Sequence, residues 1–438
     1  MHASNQLGLG GTEKAIQLFL ENLDKTVFDA SACGLLKGGE RGEILKKKGF
    51  EVFEAAGDCE AFKKRLEHGK IDIIHFHRAG WPNEKEHEFM RAALAAKVPV
   101  MMETNIFGGV DQTTVGTRFD HRLFPSKMAA LRWCKWTGTS VEKFWEKNKV
   151  LYNPINTGFF TRANALGKAK ARKAFGLLEN DFVIGRLSRR DMSKWEDMPI
   201  QAMSMLSEKI PNAKFLIANA PQEAIDKIKK SPQAGRFIFI FAIPEERLGA
   251  FYAALDVFAY SSRIGESFGY VIAEAMATAR PVVVNSTPLW DNAQIELVDN
   301  NNTGFVANSA KAMADAILKL YSNPSIAGKM GERAQQKAQK QYDEKQQTLM
   351  LSKIYVDLLK TKGIELPKQA RKFNSIELVP SKKELALFGK EYSERLFDYC
   401  GKPDYGYEIE AHAFDRLNNR QFHRYAKGIL RYSKLRKV

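Results

Sequence analysis

Along residues 1–345, short apolar runs alternate with stretches of helical periodicity. KIDIIHFH (70–77), VPVMMETN (98–105), HRLFPS (121–126) and KVLYNP (149–154) come first. DFVIGRLS (181–188), AKFLIANA (213–220), RFIFIFA (236–242), DVFAYSS (256–262) and RPVVVNS (280–286) follow. These runs are continuously apolar, so they predict strands buried on both faces of a parallel sheet. Two such blocks predict an α/β protein of two doubly wound, Rossmann-like domains. The polar, turn-rich NPINTGFFTRANALGKAK (153–170) marks the boundary. In doubly wound folds ligands bind beyond the carboxyl ends of the strands, so a cleft between the domains is the expected site. The predicted organisation is a first domain over 1–152 and a second over 153–342, then a helix over 343–365 and a basic helical extension over 366–438.

The start of the chain departs from this rhythm. Residues 12–23 form an amphipathic pattern with Ala15, Ile16, Phe19, Leu20 and Leu23 on one side. Gly8, Gly10 and Gly11 precede it, and only four residues remain for a strand before them. Either that strand is very short or the natural chain begins further upstream. A glycine-rich turn before a helix lets backbone N–H groups approach an anion, and it equally makes a plain tight turn. It matches neither the dinucleotide G-x-G-x-x-G nor a P-loop.

Composition narrows the class. The chain has 438 residues, too long for one ordinary core, with 44% hydrophobic and 11% aromatic positions, which are globular values. Its four cysteines are scattered, with no CxxC pair, so neither a zinc site nor a disulfide framework is indicated and a reducing cytoplasm fits. No run of eighteen apolar residues and no signal-like start is present, which predicts no membrane span. The 67 basic against 51 acidic side chains give a net charge of +16, which points to an anionic partner: nucleic acid, a membrane surface or a phosphorylated small molecule.

Candidate chemistry lies at the strand ends. In GRLSRRDMSKWED (185–197), Arg186 ends a strand and Lys194 follows beyond a polar loop. Two cations there suit a diphosphate, and a solvated charged loop is the plain alternative. In GESFGYVIAEAMATARPVVV (265–284), Glu274 sits among Val271, Ile272, Ala273, Ala275 and Met276, so it faces burial. Burying an unpaired carboxylate costs at least several kcal/mol, roughly. Either a protein donor such as Arg280 satisfies it or a ligand's vicinal diol does. Gly269 opens the helix that carries Glu274, a natural anion site, and Glu266 lies just before it, near enough to hold a sugar hydroxyl. His75 and His77 share one face of their strand. Two imidazoles could hold a metal, but no third ligand is apparent in the sequence, and a structural or acceptor-lining role is preferred.

The Glu266 and Glu274 pair with seven residues between, in ESFGYVIAEAMATARPVVV, resembles the signature of the family 4 retaining glycosyltransferases of GT-B fold. GLGGTE, GRLSRRDMSKW, YAALDVFAYSS and NNTGFVA (301–307) are similar to other parts of that family, so the resemblance covers residues 5–360. It implies transfer of a sugar, with retention and usually without a metal, from a nucleotide diphosphate sugar to an acceptor hydroxyl. No cofactor is implied; the donor is a UDP- or GDP-linked hexose, and the base is left open. By the same resemblance, Arg186 and Lys194 stabilise the leaving diphosphate and Glu266 acts at the donor sugar. Glu274 holds the ribose, while the backbone of Phe268, Gly269 and Tyr270 lines the donor site. Gly10 and Gly11 approach the diphosphate from the first domain, which binds the acceptor. His77 and Asn105 line the acceptor or sugar. In relatives the helix matching 343–365 returns to the first domain.

Four positions depart from the family pattern: the first strand, Asn105 where a His is usual, the wide Arg186–Lys194 spacing with Arg189 and Arg190 between, and Ala279 where Gly is usual. Asn105 cannot titrate, which puts a general base there in doubt. The alternatives are a nucleotide-sugar epimerase, for which Asn105 supplies no acid–base group, and a non-catalytic nucleotide-sugar or nucleic-acid binding protein. The expected partners are a nucleotide sugar and a glycan or lipid-linked acceptor, with no specific nucleic acid. In the tail AHAFDRLNNRQFHRYAKGILRYSKLRKV (411–438), basic residues accompany Phe414, Leu417, Tyr425, Ile429 and Tyr432 at helical spacing. This reads as an anionic-membrane-surface helix or as a helix packed on the body. With KMAALRWCKW (127–136), it suggests a peripheral protein on the inner face of the membrane.

Overall fold

A computed structural model describes residues 1–165, 167–378 and 382–416. The chain divides into two units, one of Met1–Pro154 with Glu344–Gly389, the other centred on Ile155–Asp343 and continued from Lys390. Of the described residues beyond 366, those up to Gly389 group with the first unit and those from Lys390 with the second.

The first unit is built on a sheet of seven strands: β1 (His2–Ser4), β2 (Ser31–Gly34), β3 (Glu51–Glu54), β4 (Ile73–Arg78), β5 (Val100–Asn105), β6 (His121–Phe124) and β7 (Asn148–Val150). Its order is β3-β2-β1-β4-β5-β6-β7, and every pairing is parallel. The short first strand is real. Its three residues are all buried and pair with Ala32–Gly34 on one side and His75–His77 on the other. All six residues of β4 and of β5 are buried, as continuous apolar runs require. Phe62, Phe76, Phe89, Met101 and Phe119 form the core on one face. Each such side chain contributes about 1.5–3 kcal/mol on burial. The covering helices are signalled locally: Asp58, Asn83 and Ser126 each accept backbone N–H bonds at a helix start.

The second unit has a six-stranded parallel sheet: β8 (Phe182–Leu187), β9 (Ala213–Ala218), β10 (Phe237–Ile240), β11 (Val257–Tyr260), β12 (Val282–Val284) and β13 (Gly304–Val306), in the order β10-β9-β8-β11-β12-β13. Phe215, Ile217, Val257, Met203, Leu206 and Met313 lie in its core. Ala279, where the family pattern has glycine, adopts φ +55°, so its Cβ carries the strain that a glycine avoids.

Helix Tyr407–Arg416 ends the described chain. Phe414, read from its spacing as part of a membrane-facing stripe, is instead buried against Tyr392 with ring centroids 5.2 Å apart. The described part of the tail thus takes the packed alternative; positions 417–438 lie outside the described residues. Among the described residues no helix is long and apolar enough to cross a membrane.

Candidate functional site

In sheet 2 the chain winds outward from β8 through β9 to β10, then crosses to β11 and winds the other way. The reversal between β8 and β11 is the topological switch point, where such folds leave a crevice. Arg186 is the fifth residue of β8 and is fully buried. Its guanidinium lies over Trp195 at 4.6 Å and over Tyr260, the last residue of β11, at 5.3 Å. Nη1 donates to Ser261 O at 2.9 Å and Nη2 to Lys194 O at 3.4 Å, whereas Nε has no acceptor among the described residues. Burial lowers its pKa, which measures how costly the unsolvated charge is.

The polar loop after β8 folds back on itself. Asp191 accepts from Ser193 N and Oγ at 2.8 Å each, and Lys194 N donates to Asp191 O at 3.1 Å. That turn takes up the extra residues between Arg186 and Lys194. It also decides which cations meet: Arg189 and Arg190 are exposed, and Arg190 bonds Phe241 O. Lys194 Nζ donates to Gly265 O at 2.5 Å and to Glu266 Oε1 at 2.9 Å. Tyr260 OH donates to the same carboxylate oxygen. Arg186, Lys194 and Glu266 are therefore brought together through Tyr260.

Two glycines shape the loop that carries Glu266. Gly265 has φ +64°, and a Cβ there would lie 1.5 Å from Asp291 O. Gly269 has φ +97° and precedes helix Tyr270–Ala277. Phe268 is buried against Tyr270 and Tyr342, at 5.3 and 5.5 Å, so only its backbone is available for a ligand. Glu274 is 2% exposed and accepts a hydrogen bond from Tyr252, whose OH lies 2.8 Å from Oε2. Arg280 directs its nitrogens to Thr278 O, Leu255 O and Asn164 Oδ1. Burial first, then the Glu274 charge, raises the Tyr252 pKa well above its ordinary value, so the phenol keeps the proton it donates.

Sequence reasoning missed four residues here. Trp195 and Tyr260 hold Arg186, and Tyr252 holds Glu274. Glu196 is a second carboxylate beside the cations; burial raises its pKa, opposed by a Ser261 hydrogen bond and by the charges of Arg186 and Arg263. Only the adjacency of Glu196 to Lys194 hinted at it.

The other expected residues lie in the first unit. Gly10 caps helix Gly11–Asn22, and a Cβ there would meet Glu13 Oε2 at 2.2 Å. Asn105 ends β5, but its amide is spent on the backbone: Nδ2 donates to Gly109 O at 2.8 Å and Oδ1 accepts from Gly109 N at 3.0 Å. It acts as a loop clamp beside a cavity of about 170 Å³ that Glu103, Asp111, Arg122 and Trp133 also line. Arg78 anchors that region, with Glu86, Glu103 and Asp111 at 2.6, 3.0 and 2.9 Å. His77 is buried and lies 2.9 Å from His2, a partner 75 positions away. The sequence reading found no third imidazole for His75 and His77; the fold supplies His2.

Two doubly wound parallel units, one of them with cations and carboxylates at its switch point, are the parts of which the GT-B fold is built. Residues 167–340 match the family model of glycosyl transferases group 1. The chain is 28% identical over 235 residues to the D-inositol 3-phosphate glycosyltransferase of Corynebacterium aurimucosum, a match covering 50% of this chain and 53% of that one. It is 30% identical over 175 residues to the GDP-mannose-dependent alpha-(1-6)-phosphatidylinositol monomannoside mannosyltransferase of Mycolicibacterium smegmatis, covering 37% and 44%. The match spans about half the length of the curated relatives. Among solved structures, the Anabaena protein HepE in complex with UDP-glucose superposes with a TM-score of 0.65 at 17% identity, over 81% of this chain and 99% of that one. The fold is thus the one those solved structures share, and residues 167–340 are similar to glycosyl transferases group 1.

Proposed function

We propose that this protein is a retaining hexosyltransferase. It moves a sugar from a UDP- or GDP-linked donor to a hydroxyl of a glycan or lipid-linked acceptor, without a resident metal, in cell-surface polysaccharide or lipopolysaccharide synthesis. The observation that carries this reading is the gathering of Arg186, Lys194 and Glu266 at the β8–β11 switch point, ahead of a helix start at Gly269. Supporting it, relatives are named as glycosyltransferases, one of them GDP-mannose-dependent, and HepE binds UDP-glucose.

In this mechanism, cleavage of the glycosidic bond leaves negative charge on the β-phosphate oxygens. Arg186 and Lys194 are fixed cations that stabilise that charge, and the backbone N–H groups at the start of helix Tyr270–Ala277 add their dipole. Lys194 exchanges its contact with Glu266 for the phosphate, which frees Glu266 for a donor-sugar hydroxyl. Glu274, held by Tyr252, takes the ribose hydroxyls. A leaving phosphate oxygen accepts the acceptor's proton, so Asn105 need not titrate. The acceptor lies in the first unit, with the Asn105 cavity as its binding region, and the basic surface aids peripheral docking on an anionic membrane.

A panel of UDP-, GDP- and ADP-sugars tests the reading by thermal shift, because a bound donor raises apparent stability by mass action. The donor that binds should then transfer its sugar to a lipid-linked or oligosaccharide acceptor with the anomeric configuration retained, as read by NMR. Turnover with inversion, or binding without any transfer to a broad acceptor set, would overturn it.

A further inference from the structure

The switch point of sheet 1 lies between β1 and β4, and it holds a second constellation. His2 pairs in register with His75, and Ser4 with His77. The short β1 therefore sets its imidazole beside the two that alternation places on one face of β4. His2, His75 and His77 are 2%, 0% and 4% exposed. Ring centroids stand 4.4 Å apart for His75–His77, 5.0 Å for His2–His75 and 5.2 Å for His2–His77. One nitrogen from each ring can be chosen so that all lie within 4.8 Å of one another.

The surroundings resemble an outer ligand shell. Tyr355, on helix Glu344–Thr361, places its OH 2.7 Å from His75 Nδ1 and 3.0 Å from His2 Nε2. Thr104 Oγ1 lies 2.8 Å from His75 Nε2. Outer hydrogen bonds of this kind fix the tautomer and orientation of a ligating imidazole.

We propose that His2, His75 and His77 form a binding site for one divalent transition-metal ion of the zinc class, with Tyr355 as the neighbouring oxygen. Three imidazoles are a borderline-soft nitrogen set, suited to Zn²⁺, Co²⁺, Ni²⁺ or Cu²⁺ rather than to Mg²⁺ or Ca²⁺. Zn–N bonds of about 2.0–2.1 Å require the nitrogens to draw together from their present spacing, and the ion takes over from the His2–His77 hydrogen bond and from one of the two at His75, to Tyr355 or to Thr104, the other staying to orient the ring. The ion ties β1 and β4 together beside Tyr355 of the helix Glu344–Thr361, a structural role separate from the sugar-transfer chemistry proposed for the second unit. Because the cluster is buried, the ion enters during folding or by slow exchange.

The test uses the full chain, purified without a polyhistidine tag and stripped with a chelator. It is loaded with Zn²⁺ or Co²⁺ both in the native state and during refolding. One equivalent of metal per chain, a cobalt visible spectrum of nitrogen-rich low coordination and a raised melting temperature are expected. His75→Gln and His77→Gln should each weaken binding at least tenfold, while His68→Gln, on the exposed surface, should not. Circular dichroism establishes that the variants fold. Far less than one equivalent in the wild-type chain under both loading conditions overturns the proposal, whatever the variants do. So does unchanged binding in a folded His77→Gln chain.

Discussion

The two sheets share one winding plan and differ at its pivot. Between β1 and β4 the side chains are imidazoles, buried, uncharged and hydrogen-bonded to one another, to Tyr355 and to Thr104. Between β8 and β11 they are Arg186, Lys194 and Glu266, with Glu196 alongside. Topology explains why each pivot gathers the strand ends beyond which such folds bind ligands. It does not explain what binds there; that comes from which residues end the strands. A neutral nitrogen cluster suits a metal ion, and a fixed pair of cations suits a diphosphate.

Changes that remove the charge at the second pivot should have the largest effect. Lys194→Met is expected to lower kcat for sugar transfer by about 10²–10³-fold, or about 2.7–4 kcal/mol, as for other preorganised groups that meet developing charge. Steady-state kinetics with the identified donor measures it, and a loss confined to KM would mean that Lys194 only binds. Next comes the loop that positions Glu266. Gly265→Ala, with its Cβ 1.5 Å from Asp291 O at φ +64°, should destabilise the chain by about 3 kcal/mol or more. Chemical denaturation reads this, and a wild-type midpoint would mean the loop is not held as described. A smaller effect is expected from Tyr252→Phe, which leaves the buried Glu274 without its phenol. It should cost about 1–3 kcal/mol and, on the proposed reading that Glu274 holds the donor's ribose, raise the donor KM. Smallest is a gain: Ala279→Gly removes strain at φ +55° and should raise stability by up to about 1 kcal/mol, with activity unchanged.

Much of the fold was legible because strands covered on both faces must be apolar throughout. DFVIGRLS and VPVMMETN show that pattern, and both are strands. The three residues of β1 and of β13 are too short to stand out from their neighbours. At the site, Arg186, Lys194, Glu266 and Glu274 were visible because charge is conspicuous in or beside apolar sequence. Their partners were not. Tyr260 and Tyr252 read as ordinary apolar positions of a strand and a helix, and only packing shows that their hydroxyls reach Glu266 and Glu274. His2 could not be joined to His75 and His77 without the strand order, since it lies 73 positions from the nearer of them. Asn105 was legible as a position beyond a strand but not as a clamp on Gly109, which depends on the path of the loop.

The central claim is that the crevice between β8 and β11 binds a nucleoside diphosphate sugar through fixed cations. Titration calorimetry of the wild-type chain and of an Arg186→Gln, Lys194→Met double variant against the same nucleotide-sugar panel tests it most directly. One-to-one binding of a UDP- or GDP-sugar by the wild type, weakened at least a hundredfold in a folded double variant, is the predicted result. Equal affinity in the two proteins would contradict the account.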